Sequence, residues 1–63
     1  MRITLKAARI NKNLTQQQVA EKVDVTKQTV GSWESGKTRP GIDKVEALCS
    51  LYGCTYDEII WNF

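Results

Sequence analysis

Thr15 and Thr26 each carry a helix-start signal, and only Asp24 and Val25 lie between the segment that Thr15 opens and the one that Thr26 opens. Such spacing forces a sharp turn between two short helices, so much of the architecture is constrained by this one stretch. The first start is a capping box. The Thr15 hydroxyl can take a backbone N–H while Gln18, three positions on, returns its amide to Thr15. Leu14 before the cap and Val19 within the helix make a hydrophobic staple, and Val19, Ala20 and Val23 form an apolar face that ends near Val23. The second segment runs from Thr26 to about Ser35. Val30, Trp33 and Glu34 share one face at helical spacing, which leaves Lys27, Gln28 and Ser32 pointing the other way.

The flanking sequence supplies three more helical segments. Residues from about Thr4 to Asn11 place Leu5, Ala8 and Ile10 on one side. Gly36 suits a left-handed helix end, and the stretch 37–41 reads as loop. A fourth helix, about Ile42 to Tyr52, is expected to bury Val45, Leu48, Cys49 and Tyr52 and to stop at Gly53. A fifth opens at Thr55, with Glu58 as its box partner, and brings in Ile59 and Ile60. The expectation is an all-α, five-helix domain occupying residues 1–63 as a single unit.

Composition narrows the function classes. With 63 residues the core is necessarily small. No apolar run is long enough for a membrane span, and the amino terminus lacks the pattern of a secretory signal, so a cytoplasmic protein without a membrane partner is expected. The chain has no histidine and two cysteines, Cys49 and Cys54, too few ligands for a tetrahedral zinc site; both thiols read as small core hydrophobes. No nucleophile stands beside a base and no glycine-rich phosphate loop is present. An enzyme, a cofactor and a small-molecule substrate are therefore not expected. The net charge is only +2, but it is polarised. Through Ala20 the chain carries Arg2, Lys6, Arg9 and Lys12 without an acid, whereas from Asp43 onward Asp43, Glu46, Asp57 and Glu58 oppose only Lys44. Such a domain would turn its amino-terminal end toward a polyanion.

Two helices joined by so short a turn are what a helix-turn-helix requires: the first lies across the DNA backbone and the second enters the major groove. From Leu14 to Glu58 the sequence resembles the Cro and phage-repressor family, the Xre-type regulators, with a lambda-repressor-like fold. The resemblance rests on Leu14-Thr15-Gln16-Gln17-Gln18-Val19-Ala20, Val25-Thr26, Val30, Trp33-Glu34-Ser35-Gly36-Lys37, Pro40 and Tyr56-Asp57-Glu58-Ile59-Ile60. It implies a phage- or prophage-type repressor that binds a double-stranded operator and works by occupancy.

Carried over by position, the resemblance puts Gln16 on a phosphate at the start of the second helix, with Gln17 beside it in the DNA-facing set. Lys27, Gln28 and Ser32 occupy positions that reach base edges, and Thr26 and Thr29 lie near the sugar-phosphate strand. By side-chain chemistry Gln28 favours adenine, and Lys27 favours guanine or a phosphate. Lys37, Thr38 and Arg39 in the following loop look like further phosphate contacts. Arg9 and Glu34 stand where the family carries a structural ion pair. Two departures are Gly31, where a longer polar residue is usual, and Asp24, where glycine often takes the left-handed turn. Operators of this kind are usually paired half-sites, which implies a homodimer at least on DNA; Tyr56, Ile60, Trp61 and Phe63 are the expected dimer surface. The rival reading is an antitoxin or other protein-interaction module on the same fold.

Overall fold

A computed structural model of the protein describes residues 2–61. It contains four α-helices: α1 (Leu5–Asn11), α2 (Gln16–Val23), α3 (Lys27–Ser35) and α4 (Ile42–Tyr52). Two-residue strands β1 (Ile3–Thr4) and β2 (Ile59–Ile60) pair in parallel, Ile3 opposite Ile59 and Thr4 opposite Ile60.

The expected fifth helix is therefore corrected: the segment after Thr55 is a single 3₁₀ turn, Tyr56–Glu58, that runs straight into β2. The local start signal is present, since Glu58 Oε1 accepts the Thr55 N–H at 2.8 Å and the Glu58 N–H reaches the Thr55 carbonyl at 3.0 Å. Those bonds close one turn and no more. At Ile59 the backbone turns extended, with φ −98° and ψ 134°, and the side chain is completely buried. Two adjacent β-branched residues suit that extended conformation, and pairing with the start of the chain satisfies backbone groups that another helical turn would have satisfied internally.

Elsewhere the local chemistry sets the boundaries. Thr4, Thr15 and Thr26 each accept a backbone N–H from three residues on, at 3.1 to 3.2 Å, and so start α1, α2 and α3. Asp24, Gly36 and Gly53 adopt the left-handed conformation that ends α2, α3 and α4. Asp24, at φ 61°, shows that a short polar side chain serves where glycine would be easier.

The core is one cluster drawn from every helix: Leu5 and Ala8; Val19, Ala20 and Val23; Val30 and Trp33; Leu48 and Tyr52; and Ile59 from β2. Ile10 departs from expectation, 52% exposed, and Val45 and Cys49 are only partly buried. Short helices here present narrow apolar stripes, and residues at a stripe's edge fall outside the small shared interior. Lys44 adds a bond that periodicity does not foretell: its Nζ donates to the Val23 carbonyl at 2.7 Å, capping the end of α2 from α4.

Candidate nucleic-acid interface

The position of α3 follows from what it buries. Val30 and Trp33 are 1% and 6% exposed, so the helix is pinned by one face to the core. At its start Lys27 and Gln28 are exposed, while Thr29 and Ser32 are half-buried. Thr26 and Thr29 engage each other through their hydroxyls at 2.8 Å, and the Thr26 hydroxyl also takes the Thr29 N–H. That arrangement fixes the first turn and leaves two long polar side chains, Lys27 and Gln28, projecting from it.

The end of α3 is built from the Ser32 carbonyl, which accepts the N–H of Lys37 at 2.9 Å and the Ser35 hydroxyl at 3.2 Å. The loop that follows holds Lys37, Thr38 and Arg39, all exposed. Arg39 also lines a groove with Pro40, Ile42, Val45, Glu46, Tyr56 and Trp61.

At the start of α2 the structure brings together residues far apart in sequence. Arg9, on α1, places Nε 2.7 Å from Glu34 Oε2 and Nη2 3.2 Å from Glu34 Oε1, a two-pronged pair whose side chains are 11% and 6% exposed. Its remaining prong, Nη1, donates to the Leu14 carbonyl at 2.9 Å. The hydrogen bond to Glu34 raises the Arg9 pKa above its ordinary value. Gln16 joins the same carboxylate: Nε2 donates to Glu34 Oε1 at 3.1 Å. Gln17 instead lies on the exposed side and donates to Glu21 at 3.2 Å.

The sequence points Gln16 to a phosphate and Glu34 to an ion pair, and their contact is not among the expectations it supports. No sequence signal announces it, because the two residues are 18 positions apart and meet only when α2 and α3 pack. Gly31 lies beneath this contact. A Cβ added there would sit 3.7 Å from both amide atoms of Gln16, an ordinary contact distance. Behind the pair, Tyr52 has its phenol pKa pushed up to about 12, first by burial and then by the Glu34 charge.

The residues expected at a dimer surface lie at the other end of the chain. Tyr56 and Ile60 are exposed, and Trp61 is half-buried. The Tyr56 and Trp61 rings stack with centroids 5.2 Å apart, and Trp61 Nε1 donates to the Tyr56 carbonyl at 3.0 Å. Phe63 lies outside the described residues. The groove beside this stack encloses about 470 Å³. Among the described residues no group of three or more His, Cys, Asp or Glu could hold a metal, and no helix is long and apolar enough to cross a membrane.

A capped two-helix unit with a polar flank at the start of its second helix defines a helix-turn-helix DNA-binding domain. Residues 5–59 match the helix-turn-helix family, and the chain belongs to it, as an Xre/Cro-type domain of the kind that binds DNA without catalysing a reaction. It is similar to the HTH-type transcriptional activator BcrR of Enterococcus faecalis, 36% identical over 56 residues, or 89% of this chain and 28% of that protein. It is also similar to the HTH-type transcriptional regulator YobD of Bacillus subtilis (strain 168), 36% identical over 47 residues, or 75% of this chain and 42% of that protein. The chain thus spans less than half the length of either relative. No solved structure matches it significantly.

Proposed function

We propose that this chain is the DNA-reading part of a sequence-specific transcriptional regulator, a repressor of phage or prophage type, that sets α3 into the major groove of its operator. The observation that carries this reading is the division of α3: Val30 and Trp33 hold it to the core, while Lys27 and Gln28 stand exposed at the amino-terminal end, from which helices of this class reach base edges. Gln28 reads a base, and Lys27 reads a base or a phosphate. Thr26, Thr29 and Ser32 line the strand and groove, and Gln16, Gln17, Lys37, Thr38 and Arg39 hold phosphates. Two relatives whose names describe transcriptional regulators support this class of activity.

The regulator acts as a homodimer on paired half-sites about 34 Å apart. The apolar groove built on Pro40, Ile42, Val45, Tyr56 and Trp61 supports this, because an exposed apolar face of this kind gains from being covered and an isologous contact covers the same face on both copies.

Selection of bound duplexes from a random pool tests base reading. Gln28→Ala relaxes preference at one base pair by about 1 to 3 kcal/mol, while Lys37→Ala weakens all sequences alike and flattens the salt dependence. Equal, uniform losses in both variants contradict the assigned roles. Sedimentation with and without selected duplex tests the dimer, and a monomer in both conditions ends it.

A further inference from the structure

The Arg9 and Glu34 pair does more than hold helices together. We infer that Glu34 is a positioning residue for DNA binding, which fixes the Gln16 side chain for a backbone phosphate while Arg9 cancels the charge that would otherwise repel that phosphate. The inference rests on the reading of Gln16 as a phosphate contact.

Gln16 has three rotatable side-chain bonds, so an unrestrained amide at a helix start loses considerable entropy when it engages a ligand. Here the amide is already tied. One N–H of Nε2 goes to Glu34 Oε1 at 3.1 Å, and the amide lies against Gly31, which presents no side chain of its own to displace it. An amide nitrogen has two protons, so a second donor remains for a phosphate oxygen. Lys6, Gln16, Gly31, Glu34 and Ser35 line a hollow of about 230 Å³ at this place, where a lysine and a hydroxyl accompany the amide.

Electrostatics gives Arg9 its part. A bare carboxylate within hydrogen-bonding distance of Gln16 would oppose an approaching phosphate, and Glu34 is only 6% exposed, so water screens it poorly. The two-pronged bond from Arg9 neutralises it at 2.7 and 3.2 Å without occupying the whole carboxylate, because Oε1 accepts from Arg9 and Gln16 together. The third prong of Arg9 holds the Leu14 carbonyl, next to the Thr15 cap, so the same guanidinium also sets the backbone from which Gln16 departs. One network thus fixes both the root and the tip of the Gln16 side chain.

The test uses a duplex of arbitrary sequence, about 20 base pairs, at low salt, because phosphate contacts are sequence-independent. Affinity is measured for Gln16→Ala, Glu34→Ala and the double variant, at a temperature where melting curves show each fully folded. Removing the Glu34 charge leaves Arg9 bare and strengthens general attraction to DNA in either background, so the readout is the difference between backgrounds: Glu34→Ala costs about tenfold more affinity in the parent than in the Gln16→Ala background. An equal change in both backgrounds overturns the positioning role and leaves Glu34 a structural residue. No loss with Gln16→Ala alone sinks the phosphate reading. The geometric part is read separately from the Gln16 side-chain amide resonances of the free protein, which shift in Glu34→Ala. Unmoved resonances overturn the positioning contact whatever the affinities show.

Discussion

The junction of α1, α2 and α3 and the groove beside α4 are opposites in construction. At the junction the buried charged groups are matched: Arg9 uses all three of its prongs, Glu34 takes bonds from two residues, and no buried side-chain nitrogen or oxygen among the described residues is left without a partner. At the groove, apolar side chains face outward, led by Ile42 at 81% exposure and Tyr56 at 51%. A saturated polar network specifies one geometry and resists change, whereas an open apolar surface gains from being covered and loses little from substitution. Fixed shape is thus concentrated at the proposed phosphate contact, and open apolar surface on the face proposed for a second copy.

The largest test of that contrast is Arg9→Leu. It strands the Glu34 carboxylate in a nearly buried position and lowers unfolding free energy by about 3 to 5 kcal/mol, measured by urea titration. A loss below about 1 kcal/mol would mean that water reaches the carboxylate and that the junction is not the rigid half. Alkaline titration probes the same region through Tyr52. Its pKa rises from 10.0 unfolded to about 12 folded, so burial stabilises the neutral phenol. The contribution is complete below pH 10 and is lost between pH 10 and 12, at up to about 1.4 kcal/mol per pH unit. Tyr52→Phe has no proton to lose and should unfold less steeply in that window; identical slopes would separate Tyr52 from the network.

Gly31→Ala is a smaller effect of opposite sign. The added Cβ meets Gln16 at 3.7 Å, which is no clash, so the variant gains about 0.4 to 1 kcal/mol of helix stability. A melting temperature that falls would show the space beside Gln16 to be tighter than this distance implies. Smallest of all, Ile42→Ser on the groove changes stability by no more than about 0.5 kcal/mol, since its side chain is already in water. Sedimentation on operator DNA should nevertheless show weaker self-association; unchanged association would remove Ile42 from the dimer surface.

What the sequence determined by itself was the content of short windows. The Thr15 and Gln18 box, the Thr26 cap and the glycines that end α3 and α4 act within one turn, so the residues that make those bonds are neighbours in sequence and can be read from it. The spacing of Val30 and Trp33 likewise set which flank of α3 turns inward, and with it the exposure of Lys27 and Gln28. Tertiary structure decided what depends on distant partners. Thr55 and Glu58 signal a helix start, but how far it continues was settled when Ile59 found Ile3 across the length of the chain. The bond from Gln16 to Glu34 and the bond from Lys44 to Val23 exist only because packed helices bring those groups within reach. Local bonds are encoded by neighbours, whereas a long-range contact also requires the loop-closing entropy that only the assembled core offsets.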